Sequence, residues 1–282
     1  MAPDDGDGSA PDRRDGSPLA SGDGGHTDSR SRDRRPLVEP VPDAPAATAR
    51  LDGERALVVA DYHAGIEVGL RYERGVELDS AAPRRRERLL SLVDRTDPDR
   101  LVVVGDFGHR VSGAGDTERD EIETLLDALA VPVTLVRGNH DAGLAEAFAD
   151  RLQTTAPGGT RIGRVGFVHG HTWPDPDVLA ADVVCVGHEH PAVKLADEVG
   201  RARAERAWLR GPLAREPFAE EGVAAEWNAP ELVVVPAFND RSGGTWVNVE
   251  GQGFLAPFLP GALPSAQAYL LDGTRLGDYR GV

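Results

Sequence analysis

Seven of the chain's eight histidines stand within a few residues of the end of a short apolar run: His63, His109, His140, His169, His171, His188 and His190. Only His26 lies apart. Scattered core or surface histidines would not sort in this way. Carboxylates and an amide share the same places. Asp61 precedes His63 by two residues, Asp106 follows Gly105, and Asn139 stands between Gly138 and His140. His188 and His190 flank Glu189, and His169 and His171 flank Gly170. A nitrogen and oxygen ligand set without thiolate suits Mn²⁺, Fe or Zn²⁺. The two oxygens of Asp106 can bridge two ions about 3.5–4 Å apart. At a strand end, residues i and i+2 point to one side, so Asp61 and His63 are expected to reach one ion together, with His188 and His190 repeating the geometry. Burying so many polar groups with no metal among them would be costly.

The elements that carry these residues can be read from apolar patterning. Runs at 56–60, 101–104, 131–136, 162–168, 183–186 and 232–235 have strand length and are mostly valine-rich, which predicts strands buried on both faces. Helical periodicity appears at 84–95, 117–130 and 142–152. Alternating strands and helices imply an α/β domain with a largely parallel sheet. Sites in such sheets form outside the carboxyl ends of the strands, where the histidines are. Residues 201–230 break the rhythm and are expected to form an insertion or a hairpin with a loop. Residues 269–271 read as a last short strand.

Composition bounds the rest. The chain has 282 residues, 40% of them hydrophobic, and its formal net charge is −16. Residues 1–48 carry no aromatic side chain and few branched apolar ones, so an acidic, Arg-rich tail is expected to be disordered. The domain is then expected to span 49–282. Residues 1–25 hold no apolar core of a secretory signal. With one cysteine, Cys185, neither an intramolecular disulfide nor a cysteine-cluster zinc site can form. A cytoplasmic location is expected. Lys194 is the only lysine among 31 basic residues. An acidic, lysine-poor composition resembles that of a halophilic protein, whose self-repulsion salt screens, with an ordinary acidic protein from a GC-rich genome as the alternative. The net charge argues against broad non-specific nucleic-acid binding, though not against a local basic site. No stretch is long and apolar enough for a membrane helix.

The five motifs D-x-H (Asp61, His63), G-D (Asp106), G-N-H-D (Asn139 to Asp141), H (His169) and G-H-x-H (His188, His190) stand here in order. Over residues 55–192 the chain resembles the calcineurin-like metallophosphoesterase superfamily. Its 61–78 region, 187–191, and 232–244 with Pro236-Ala237-Phe238 resemble the archaeal SbcD-related and DNA-ligase-associated phosphoesterases. The resemblance implies a four-layer αββα sandwich with a dinuclear metal site at the C-terminal ends of the strands. Asp61, His63, Asp106 and His190 would hold one ion. Asp106, Asn139, His169 and His188 would hold the other. The expected cofactors are two divalent ions, Mn²⁺ foremost. The expected reaction is hydrolysis of a phosphoester, a phosphodiester above all, by a metal-bridging hydroxide. His140 would assist the leaving group and His109 would support His140. His171 is expected to act behind the ligands or on substrate, and Asp141 to orient His140 or cap the next helix. A non-catalytic, metal-binding scaffold of the same fold is the alternative, because one retromer subunit has lost catalysis and binds proteins. The histidine after Asn139 is the feature that favours an enzyme.

Overall fold

The computed structural model describes residues 35–111, 115–196, 201–249 and 251–282. Residues 36–282 form one compact unit. The first sheet holds β1 (Val38–Pro40), β2 (Ala47–Arg50), β3 (Arg55–Val59), β4 (Arg100–Val104), β5 (Val133–Val136) and β6 (Leu152–Thr154), side by side in chain order. Strands β3 to β6 are parallel, and β1 and β2 extend them as an antiparallel margin. The second sheet holds β7 (Thr160–Ile162), β8 (Val165–Val168), β9 (Val183–Val186), β10 (Pro191–Ala196), β11 (Ala202–Pro212), β12 (Glu231–Val234), β13 (Thr245–Trp246), β14 (Gln267–Leu270) and β15 (Arg275–Asp278). At its centre β8, β9 and β12 run parallel.

Side-chain alternation along these strands builds the layers. After α1 (Ile66–Arg74) come the helices of this face: Leu57, Val59, Leu101, Val103 and Leu135 turn outward and pack on α2 (Ala82–Thr96), α3 (Asp116–Ala128) and α4 (Ala142–Ala147) or the loops beside them. Ala56, Val58, Val102, Val104 and Val136 turn inward, where they meet Phe167, Cys185, Trp208 and Val233 of the second sheet. Val184, Val186 and Val234 face away again, onto α5 (Pro176–Leu179), α6 (Glu216–Glu220) and the C-terminal loops. The result is the helix–sheet–sheet–helix sandwich. Each central strand is therefore apolar on both faces, which is why it reads as an unbroken run. Cys185 lies in the middle core, where burial pushes its thiol up to about 12. Among the described residues no helix is long and apolar enough to cross a membrane.

Several elements differ from the sequence reading. The run at 162–168 is not one strand: β7 and β8 form a hairpin turned at Gly163, whose φ is +60°. The expected helix at 142–152 ends at Ala147, and Leu152 begins β6 instead. Strands β10 and β11 pair antiparallel, and β11 is an eleven-residue strand paired also to β12 and β14. Helix α1 and the marginal strands carried no clear period. The expected disordered segment 1–48 runs too far. Residues 1–34 lie outside the described residues, but Val38, Val41, Ala44, Ala46 and Ala47 are buried. Small alanines and two valines between prolines supply that margin, a composition that resembles a tail. Deleting residues 1–45 should therefore destabilise the domain. Two buried valines alone represent about 3–6 kcal/mol, so the melting temperature should fall by roughly 10 °C in a thermal scan.

Candidate metal centre

The parallel strands of both sheets end at one place. Asp61 and His63 follow β3, Asp106 follows β4, and Asn139 and His140 follow β5. His169 follows β8, while His188 and His190 follow β9. Loop–loop hydrogen bonds fix them there. The amides of Asp61 and His63 donate to the carbonyls of Gly105 and Asp106, at 3.1 and 2.9 Å. The His188 amide donates to the Asp61 carboxylate at 3.1 Å. The backbone is held in the left-handed region at Asp61, His63, Asp106, His188 and His190, with φ between 44° and 65°. Such values are uncommon for residues other than glycine and cluster at functional sites. They also correct the expected geometry, since left-handed turns rather than strand alternation aim these side chains. Two glycines give the room. A Cβ on Gly105, itself at φ +76°, would lie 2.2 Å from Nδ1 of His169. One on Gly138 would lie 2.2 Å from Oδ1 of Asp106.

The side chains form two adjoining groups. Asp61, His63 and His190 make one, and Asp106, His169 and His188 the other, with ligand atoms in each within 4.8 Å of one another. Residues 188 and 190 thus part, one to each group. Asp106 sits at the junction. Its Oδ1 is 3.3 Å from Nε2 of His169, and its Oδ2 is 4.0 Å from Nε2 of His63. Asn139 places Oδ1 3.3 Å from Nε2 of His169.

Tautomers follow from the outer partners. Nδ1 of His169 is 3.0 Å from the Val104 carbonyl, and Nδ1 of His190 is 2.6 Å from the Gly243 carbonyl. A carbonyl only accepts, so both rings carry their proton on Nδ1 and turn Nε2 inward. Nε2 of His63 and Nε2 of His190 then face each other at 3.4 Å. His190 Nε2 also lies 3.1 Å from the Asp61 carboxylate, so positive charge, a proton or a metal ion, fits among these groups, and outer partners of this kind are those of metal-bound imidazoles. Burial pushes His63 down to about 3 and His188 down to about 4, which keeps both rings neutral as ligands must be. Against burial, Asp106 raises His169 to about 9 and Asp61 raises His190, so those two rings would give up a proton on binding an ion. Burial would raise the carboxyl of Asp61, but His190 and His169 hold it below the usual range. For Asp106, burial is likewise outweighed, by His169, His63 and His140. The donors fit two divalent cations.

A family model for calcineurin-like phosphoesterases matches residues 54–206, more than half of the chain. The chain belongs to the calcineurin-like phosphoesterase family. Among solved structures it is similar to a nuclease, MPE, of Pseudomonas putida. Identity there is 18% over 83% of this chain and 97% of that one, with a TM-score of 0.49. It is also similar to the phosphoesterase Yfce of E. coli, with 16% identity, 79% and 97% coverage, and a TM-score of 0.39. No curated protein matches the chain. Members of this phosphoesterase family typically bind two divalent ions, and two His/Asp groups stand ready here.

Other residues of this phosphoesterase stand around the two groups. His140 Nδ1 is hydrogen-bonded to the His109 carbonyl, which turns its Nε2 to within 3.7 Å of Asp106 Oδ2. The His109 ring stacks on that of His140, with centroids 5.6 Å apart. Its Nδ1 lies 3.4 Å from Nδ1 of His63, so His109 also braces that ring. His171 joins neither group; its ring packs 5.3 Å from that of His169. Asp141 departs from expectation. It makes no helix-capping bond, and its buried carboxylate accepts from the amides of Asp106, Phe107, Gly108 and Gly138. It clamps the loops that carry Asp106 and Asn139. Burial, with Asp106 beside it, raises its carboxyl to about 6.

Sequence reasoning missed three supports. Asn239 donates to the carbonyls of Tyr62 and His63 at 2.9 and 3.2 Å and so locks their loop. Glu189 joins neither group and accepts from the amides of Leu255 and Ala256. Beneath the 61–65 loop, buried Arg85 joins Glu67 and Glu121, and Glu121 accepts from the Gly65 amide at 2.9 Å. None has a local signal, because every partner is distant in the chain. Arg85→Met would leave two carboxylates buried with one fewer partner. A loss of about 3–5 kcal/mol is expected, readable as a shift of the urea midpoint at unchanged slope.

Proposed function

We propose that the protein is a metal-dependent phosphodiesterase in which Asp61, His63, Asp106 and His190 hold one ion. Asp106, Asn139, His169 and His188 hold the second. The observation that carries this reading is the facing pair of inward imidazole nitrogens on His63 and His190, beside a carboxylate that reaches both groups. Two ions bound there acidify a water and neutralise phosphoryl charge. The protein's own part is positioning and proton transfer. The His109 carbonyl fixes the His140 tautomer, so His140 Nε2 can hand a proton to the leaving oxygen when the ring is protonated. Asp141 keeps the Asp106 and Asn139 loops in register, and Asn239 does the same for Tyr62 and His63. His140 in this place supports an enzyme over a scaffold. Mn²⁺ as the native metal, kinship with the SbcD-related phosphoesterases, and a high-salt cytoplasm belong to the same proposal.

The test is a panel in Mn²⁺ of bis-p-nitrophenyl phosphate, p-nitrophenyl phosphate and single-stranded DNA. The diester should turn over faster than the monoester, and chelation should abolish both. Hydrolysis of the monoester alone would overturn the diester assignment.

A further inference from the structure

Among the described residues five large apolar side chains stand exposed, and three of them line grooves that open on the metal centre. One groove, of about 520 Å³, reaches His140 and His109 and is walled by Val68, Tyr72, Arg110 and Val111. Tyr72 is 80% exposed and Val111 64%. The other groove, of about 330 Å³, starts at His190 and runs past Ser242, Arg206 and Trp246. The two abut opposite ends of the histidine row. The His63 ring lies 5.6 Å from that of His140 and 5.3 Å from that of His190.

Their chemistries differ. The His140 groove pairs apolar walls with one Arg and one Glu, Arg110 and Glu73. The His190 groove is polar beside its indole, with Arg206, Glu205, Asp240 and Ser242 in its wall. Arg206 reaches the Asp240 carboxylate at 3.1 Å, and Arg84 and Arg88, outside the groove, hold the same carboxylate at 3.1 and 2.7 Å. Glu205 pairs with Arg203 at 3.3 Å. Lys194 stands 5.6 Å from the centroid of the Trp246 indole.

We propose that the centre is double-ended, the Tyr72–Val111 groove taking the leaving arm of a phosphodiester and the Arg206–Trp246 groove taking the arm that stays on phosphorus. This rests on the phosphodiesterase reading above. A proton donor must stand next to the oxygen that departs, so the arm beside His140 is the leaving one. The retained arm then emerges past His190. There the exposed Trp246 indole offers a platform for a flat group, with Arg206 in the same wall. A monoester would leave the second groove empty.

The test compares two diesters with the same leaving group: methyl p-nitrophenyl phosphate, whose retained arm is small, and bis-p-nitrophenyl phosphate, whose retained arm is aromatic. Tyr72→Ala and Trp246→Ala remove exposed side chains, and circular dichroism would check their folds. Trp246→Ala should lower the ratio of kcat/KM values, bis over methyl, about tenfold, the scale of one lost aromatic stack. Tyr72→Ala should lower both kcat/KM values about equally and leave the ratio within about twofold. A ratio that moves in Tyr72→Ala and not in Trp246→Ala would reverse the assignment and overturn it. So would no change in either variant. Wild-type protein inactive on both diesters would instead remove the phosphodiesterase reading itself, and this inference with it.

Discussion

His140→Ala should lower turnover about 10²–10⁴-fold, the usual worth of a positioned acid–base group, while both metal groups and the fold persist. The persistence follows from the geometry. His140 belongs to neither group, and its contact with Asp106 Oδ1 is made by its backbone amide at 3.1 Å, which alanine keeps. What is lost is Nε2, the nitrogen held toward Asp106 by the His109 carbonyl. His140→Asn should also be poor, because an amide cannot deliver a proton. Esters with very good leaving groups should suffer least, since their departing oxygen needs little protonation. His109→Ala should show a milder form of the same defect, because the carbonyl that sets the His140 tautomer remains and only the stacked ring goes. Metal content and turnover should be measured on one His140→Ala sample. Full activity with both ions bound would remove His140 from the mechanism, and loss of an ion would make it a ligand.

Asp106→Asn should have the largest effect of any ligand change. Asp106 turns a different oxygen to each group, Oδ1 to Nε2 of His169 and Oδ2 to Nε2 of His63. Two divalent ions carry four positive charges, and Asp61 and Asp106 supply the only carboxylates in the two groups. Asparagine halves that charge and aims an amide donor at one of the inward imidazoles. An outer-shell partner is already worth about 10–100-fold in metal affinity, so the loss here should exceed about 100-fold. Metal analysis at micromolar protein should find fewer than two ions per chain, and turnover should collapse. Two ions bound at wild-type affinity would show that Asp106 does not bridge.

The site was legible because its chemistry is local in sequence. Each ligand sits within four residues of the end of a valine-bearing strand, and a strand buried on both faces is an unbroken apolar run. Pairs such as Asp61 and His63 also keep their short spacing whatever the backbone does. The backbone itself was not legible: left-handed φ at Asp61, His63, Asp106, His188 and His190 overrides the strand alternation that spacing alone suggests. Supports from afar were hidden for another reason. Asn239 reaches Tyr62 and Arg85 reaches Glu67 and Glu121 only after the chain has folded. Val38–Pro40 escaped because three residues between prolines show no period, although Val38 is fully buried. The run at 162–168 misled because a hairpin turn at Gly163 interrupts it without changing its composition.

Catalysis is expected to need two ions in one shared site. The most direct test of this requirement is a titration of metal-free protein with Mn²⁺, reading hydrolysis of bis-p-nitrophenyl phosphate against equivalents added. Activity should be absent at the start and should level off at two equivalents per chain. Turnover in the metal-free protein, or a plateau at one equivalent, would contradict it.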